Sequence, residues 1–319
     1  MTKEYNGLVL LNKKKGLTSF DSLKEIKHTF GTGKVGHSGT LDKFAEGLLL
    51  VLVGRGVKLI PLFENLDKEY YGTIRFGEET DTLDPEGEVI SEAPIPSLEV
   101  LETALVSFRG NIMQAPPAYS ALHINGKRAY KLAREGLMPE MKKRPVTIFL
   151  LELISYKPPF AEIKVRVSSG TYIRSLARDI ALACNSRAYL SSLTRTKIGS
   201  FALEDAIGLP YFNINKNETE ENELIINSLL PLNREFFNKL SLGHFLIDEK
   251  ASKDFSLGKP LSGIIAGKEI IIPLNCKDNP LLEINKKAAV FGKNAPDKLL
   301  GLIKEQNGIW SYCNVFKDI

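Results

Sequence analysis

The chain has 319 residues, 43% hydrophobic and 25% charged, as expected of a soluble globular protein with one large or two moderate domains. Its longest purely apolar run, Leu48 to Val53, is six residues, far short of the roughly 20 that span a bilayer. Cys184, Cys276 and Cys313 are widely separated and show no ligand spacing, so neither a disulfide framework nor a zinc site is expected.

Gly7 to Leu11 is a short apolar run ended by Asn12-Lys13-Lys14-Lys15-Gly16, a strand entering a basic turn. Thr18 or Ser19 can cap a helix in which Phe20, Leu23, Ile26 and Phe30 recur at helical spacing, and Gly31 ends it. Gly31 to Gly36 spells GxGxxG. A dinucleotide site, however, needs a strand before the glycines and a helix opening on them, whereas here a helical pattern precedes and a Gly/Ser loop follows. That loop, Lys34 to Asp42, runs into the strand Leu48 to Val53 and presents a carboxylate on a rigid element. Local composition leaves Asp42 open between a turn residue bonding its own backbone and a catalytic acid.

Val57 to Phe63 fits a short helix. In Asp67 to Phe76 a strand places Tyr70, Gly72, Ile74 and Phe76 on one side and Tyr71, Thr73 and Arg75 on the other. Four acids between Gly77 and Asp84 adjoin the turn Asp84-Pro85-Glu86-Gly87. Acids beside such a turn need no chemistry to explain them, so the segment reads as a hairpin. Ser97 caps a helix with Leu98, Leu101, Leu105 and Phe108 inward. Two prolines keep Gln114 to Ala121 extended.

Between Ser120 and Pro145 seven basic residues face two acids, a local +5 that exceeds the +4 of the whole chain. Concentrated positive charge interleaved with aromatics suits a phosphate-backbone partner; the core of this arm, Lys127 to Arg134, has a helical pattern. Strands follow at Val146 to Tyr156 and Glu162 to Ser168, a helix runs from Ser169-Gly170-Thr171-Tyr172-Ile173-Arg174 through Ala183, and Leu190 to Phe201 is a strand region. Asn213 to Glu223 reads as a linker or surface helix. Beyond about Leu240, short apolar runs (Glu269 to Pro273, Ala288 to Phe291, Leu300 to Lys304) broken by Gly, Pro and Asn point to a compact β-rich module.

Four motifs stand in this order: His37-Ser38-Gly39-Thr40-Leu41-Asp42, Lys68-Glu69-Tyr70, Tyr119-Ser120-Ala121-Leu122 with Gly126-Lys127, and Gly170-Thr171-Tyr172-Ile173-Arg174. Together they resemble the tRNA pseudouridine-55 synthase family, the TruB type, over about Gly7 to Leu209. The tail resembles the small RNA-binding PUA-type module. The resemblance implies an α+β fold with a mixed, largely antiparallel central sheet flanked by helices. It divides the chain into a catalytic domain (1–235) with a thumb-like RNA-contacting insertion (about 119–145) and a β-rich C-terminal domain (240–319).

It further implies isomerisation of one uridine in the T-arm loop of tRNA. Asp42 matches the catalytic aspartate, as nucleophile at the sugar or as stabiliser and proton carrier. An ionised carboxylate suits either role, because cleaving a glycosidic bond develops positive charge on the sugar. Arg174 matches the arginine that pairs with this acid and keeps it charged. Tyr70 matches the tyrosine that stacks on the target base, Tyr172 the aromatic beside it, His37 the histidine that takes part in base flipping, and Lys13 a pocket lysine. Lys127, Arg128 and Lys131 are the leading candidates for phosphate contacts on the insertion. Lys43 and Lys14 stand where the family usually has proline, so both loops lack that φ restraint. No metal or organic cofactor, membrane or protein partner is implied; a cytoplasmic monomer is expected, since Met1-Thr2-Lys3-Glu4 leads into no signal-peptide core. The alternatives are an RNA-binding or tRNA-folding protein without chemistry and, less favoured, a nucleotide-binding enzyme using Gly31 to Gly36.

Overall fold

A computed structural model describes residues 4–120, 122–124, 126–137, 141–208, 218–268, 270–272 and 287–316. Its frame is an eleven-stranded mixed sheet. The N-terminal part comprises β1 (Gly7–Lys13), α1 (Lys24–Thr29), β2 (Val35–Ser38), β3 (Glu46–Val53), β4 (Lys68–Phe76), the hairpin β5 (Glu78–Thr80) and β6 (Val89–Glu92), α2 (Leu98–Val106) and β7 (Gly110–Gln114). Then come the short β8 (His123–Ile124) and β9 (Lys127–Arg128), α3 (Ala129–Arg134), β10 (Arg144–Lys157), β11 (Phe160–Val167), α4 (Ile173–Ala183) and β12 (Ala188–Ile198). The strand order β1-β3-β12-β4-β11-β10-β7 forms the body of the sheet, with β2 against β3. All but one of these pairings are antiparallel; β12 meets β3 in parallel.

β3 explains that order. Every residue from Gly47 to Val53 is buried, and a strand covered on both faces reads as a continuous apolar run. β4 and β11 alternate buried and more open positions instead, the pattern of strands with one covered face. α2 and α4 cover that face, packing Leu101, Leu105, Leu176 and Ile180 onto Ile74, Ile163 and Val165. The pairing register also places Lys13 opposite Gly47, Gly47 opposite Arg195, and Arg195 opposite Tyr70. One row across four strands therefore gathers residues from distant parts of the sequence.

The chain continues through β13 (Phe201–Ala202), β14 (Ile207–Gly208), α5 (Glu218–Asn227), β15 (Leu230–Pro231) and α6 (Arg234–Lys239) into a four-stranded sheet. This sheet contains β16 (Gly243–Ile247), β17 (Lys287–Gly292), β18 (Ala295–Gln306) and β19 (Ile309–Val315), packed with α7 (Glu249–Ser256) and α8 (Leu261–Ile265). A single apolar cluster joins the two sheets, running from Leu8, Leu48 and Phe63 through Phe237 to Phe291, Leu302 and Phe316. Among the described residues no helix is long and apolar enough to cross a membrane.

Several local expectations change. Phe20 is 64% exposed, because Asp21–Leu23 forms a 3-10 turn before α1 and shifts the inward stripe to Leu23, Ile26 and Phe30. Leu98, at the start of α2, also faces solvent. Gly31 to Gly36 leads into β2, a strand laid along β3, so the order is helix–turn–strand and the glycines open no helix. Lys127 and Arg128 lie in a two-residue ladder with His123 and Ile124, ahead of α3 and not inside it. Cys276 and residues 209–217 lie outside the described residues, as do both ends of the run Glu269 to Pro273.

Candidate active site

Asp42 sits between β2 and β3 on a loop tied down from three directions. Ser19 Oγ accepts from Leu41 N at 2.9 Å and donates to Leu41 O at 3.1 Å. Gly16 N donates to Lys43 O at 2.8 Å, and Ala45 N to Asp42 O at 3.2 Å. The turn after β1 thus holds the segment by its own backbone, and the lysines at 14 and 43 stand within this hydrogen-bonded frame. From beneath, Arg195 Nη2 donates to Gly39 O at 2.9 Å while its Nε donates to Leu48 O at 2.8 Å. Gly47 (φ +104°) makes room for that strand: a Cβ there would come within 2.4 Å of Arg195 O.

Arg174 opens α4, where a cation is poorly matched to the helix dipole. Its guanidinium is almost fully buried and meets two carboxylates: Nε is 2.9 Å from Asp42 Oδ2 and Nη1 is 3.2 Å from Asp84 Oδ2. Nη2 donates to Asp42 Oδ1 at 3.2 Å and to Tyr119 O at 3.0 Å, and Nη1 to Thr82 O at 2.6 Å. A planar fork with five donors can serve both acids and two carbonyls at once, which a lysine cannot. Asp42 keeps 39% of its side-chain surface open, against 7% for Asp84. Of these two acids, Asp42 is the one whose oxygens a ligand can reach. Burial pushes the Asp84 carboxyl above the ordinary carboxylate range, against the pull of the Thr82 hydroxyl and Arg174.

Asp84 is the residue that sequence reasoning passed over. The hairpin reading was right about the local structure, since β5 and β6 pair around it, but it assigned the acids no chemistry. The signal available was a loop acid between Thr82 and Pro85; nothing in the sequence said that Arg174 lies across the cleft. In the sequence Arg195 is likewise an ordinary residue of a strand region. Among the described residues no cluster of His, Cys, Asp and Glu is arranged to hold a metal ion.

The remaining candidates surround this pair unequally. Tyr70 on β4 is largely buried and belongs to the same apolar cluster as Leu41, Phe44 and Ile173. Tyr172, the residue before α4, is clamped by Gln114, whose Oε1 accepts from Tyr172 N at 2.9 Å and whose Nε2 donates to Tyr172 O at 3.1 Å. The Arg144 guanidinium lies 5.1 Å from the centre of the Tyr172 ring, a cation–π contact. Lys13 is fully buried, and its ammonium donates to Leu17 O at 2.7 Å and Lys14 O at 3.0 Å. Burial lowers its pKa to about 8, opposed by the charge of Asp42 and assisted by that of Arg195. Burial, and then Arg195, also lowers the pKa of His37 on β2. Lys127, Arg128 and Lys131 form a separate exposed group on the insertion.

A family model described as the N-terminal domain of TruB family pseudouridylate synthase matches residues 27–173. The tRNA pseudouridine synthase B of Borreliella burgdorferi is 50% identical over 204 residues, covering 63% of this chain and 72% of that one. The chain belongs to the TruB family. The TruB-family tRNA pseudouridine synthase B of Francisella philomiragia is 47% identical over 207 residues, covering 64% of this chain and 68% of that one. A chain of the crystal structure of a Cbf5-Nop10-Gar1 complex shares the TruB-type fold with a TM-score of 0.65 at 21% identity, covering 98% of this chain and 84% of that one. A second, from a Nop10-Cbf5 complex, gives 0.63.

Proposed function

We propose that the chain is a tRNA pseudouridine synthase that isomerises a uridine of the T-arm loop, the one at position 55, with Asp42 as the catalytic residue. One observation carries the reading: in a chain that is 50% identical over 204 residues to an enzyme named tRNA pseudouridine synthase B, a partly open carboxylate is fixed against a buried guanidinium. In the reaction the N1–C1′ bond of uridine breaks, the base turns, C5 bonds C1′, and the C5 proton leaves while N1 gains one. Positive charge develops at C1′ as the first bond breaks. Asp42 stabilises it, by covalent attack or through space, and Arg174 fixes the direction from which it acts.

A base in a folded loop must be extruded to reach such a site, at a cost of a few kcal/mol. Stacking on Tyr70, about 1–3 kcal/mol per base, offsets much of that. Tyr172 packs beside it, Lys13 lines the pocket and His37 fills space that the base vacates. Lys127, Arg128 and Lys131 hold backbone phosphates, the segment 119–145 acts as the thumb, and residues 240–319 form a PUA-like second RNA-binding domain after a catalytic domain of 1–235. Acting on tRNA without an organic cofactor or metal, the protein works in the cytoplasm as a monomer.

The test is release of tritium from C5-labelled uridine in a T-arm stem-loop. Wild type releases it and Asp42→Asn does not, while both bind the RNA. Equal release by the two proteins would remove Asp42 from the chemistry, and no release by either would leave an RNA-binding protein that folds tRNA.

A further inference from the structure

β7 is the end strand of the main sheet, and its last residue, Gln114, pairs in register with Arg144, the first residue of β10. The insertion leaves the sheet after the one and rejoins it at the other. Residues opposite each other in an antiparallel pair put their side chains on the same face. That face is the inner one, because Ile112 and Ile148, in step with them along the two strands, pack into the cluster that holds Ile173 and Leu176 of α4. Gln114 is fully buried and Arg144 half-buried. Arg144 counts among the seven basic residues of the insertion, yet it turns toward the start of α4.

Both side chains end on Tyr172, the residue before α4. That position favours Ser, Thr, Asp or Asn, whose side chains cap the first turn. The tyrosine makes no such bond, so it is held from outside the helix. Its backbone is extended (φ −102°, ψ 115°), and Gln114 meets it as a neighbouring strand would: Oε1 accepts from Tyr172 N at 2.9 Å while Nε2 donates to Tyr172 O at 3.1 Å. A side-chain amide carries an acceptor and a donor side by side, which matches the N–H and C=O of a single residue. Arg144 supplies the second hold. Its guanidinium lies 5.1 Å from the centre of the Tyr172 ring, and its Nη2 donates to Gly170 O. Gly170 (φ +80°) leaves room for this, since a Cβ there would stand 3.4 Å from Arg144 Nη2. One end of the insertion thus grips the Tyr172 backbone, and the other end grips the ring.

We propose that Gln114 and Arg144 are positioning residues that together set the place and plane of the Tyr172 ring beside the flipped uracil. The inference rests on the isomerase reading, in which Tyr172 packs next to that base. A clamp on the backbone fixes where the Tyr172 side chain begins, and a cation over one face fixes how the ring lies. Neither group has to touch the RNA. Truncating either lets the ring drift, and misplacement by about 1 Å can cost 100-fold in rate. Binding through backbone phosphates needs only positive potential along a path, so the loss falls on kcat.

The experiment measures tritium release from the T-arm stem-loop by Gln114→Met and Arg144→Met, each made in the wild type and in Tyr172→Ala. In the wild-type background each lowers kcat about 10- to 100-fold with KM within about twofold. In Tyr172→Ala, where no ring is left to place, neither costs more than about a further twofold. The same loss in both backgrounds overturns the proposal, because the pair then acts elsewhere, as through the helix start that carries Arg174. An unaltered kcat in the wild-type background overturns it as well. The salt dependence of binding separates positioning from phosphate contact: Arg144→Met keeps the wild-type slope, and a fall of about 0.7–0.9 would make Arg144 a phosphate ligand and sink the proposal. Arg144 is only half-buried, so its variant carries the test even where Gln114→Met fails to fold. Wild type that releases no tritium overturns the isomerase reading and the proposal with it, whereas wild-type turnover with indifferent variants overturns the proposal alone.

Discussion

The Asp42–Arg174 pair and the basic insertion are built to opposite specifications. Arg174 is held by two carboxylates and two carbonyls inside the fold, and Asp42 rides on a loop anchored by Ser19, Gly16 and Arg195. Lys127, Arg128 and Lys131 stand exposed on a two-residue ladder and a six-residue helix. Bond cleavage needs a charge within a fraction of an ångström of one atom, and misplacement by about 1 Å can cost 100-fold. A phosphate backbone needs only positive potential along a path. On the proposed reading, the anchored loop supplies the position that the chemistry demands, and the exposed side chains of the insertion supply charge.

The comparison breaks most sharply at Asp42. Asp42→Asn should lower tritium release by about 10³-fold or more with RNA affinity within twofold; parallel losses in both would place Asp42 among the binding groups. Next comes Arg174→Met, which leaves Asp84 buried without its cation. A loss of about 3–5 kcal/mol in denaturant-measured stability is expected, and an unchanged midpoint would show the guanidinium to be dispensable to the fold.

Arg195→Met tests whether the anchoring of Gly39 matters to turnover. The expected result is a fall in kcat on the order of 100-fold with KM little changed, and partial rescue by Arg195→Lys. Replacing Lys127, Arg128 and Lys131 together by Ala should leave kcat intact and reduce the salt slope of binding by about 2; an unchanged slope would move the phosphate footprint off the insertion.

A further effect is a pH dependence of stability. Burial lowers Lys13, and also Lys68, to about 8, below the unfolded value near 10.5. Between those limits the unfolded chain binds more protons than the folded one, so their contribution makes stability rise with pH. Lys13→Met removes its share, and any stability advantage of the variant at pH 7.5 should shrink by up to about 3 kcal/mol by pH 10.5. An equal pH slope in both proteins would show that the ammonium is not desolvated.

What the sequence determined by itself is whatever local periodicity and local chemistry control. The unbroken apolar run of β3, the alternation in β4 and β11, the Ser97 cap confirmed by its bond to Val100 N, and the α4 boundary at Ala183 follow from residues within one element of each other. The loop carrying Asp42 and the helix start carrying Arg174 were legible because each is a compact motif. Only the tertiary structure decided which of these motifs meet. Asp84 looked like a turn acid until Arg174 lay 3.2 Å away, and Arg195 looked like an ordinary strand residue until the β3–β12 register put it opposite Gly47. Such pairings depend on contacts between residues up to about 150 positions apart. No local pattern encodes them: strand order and register are fixed by how whole faces bury against one another, not by the sequence of any single strand.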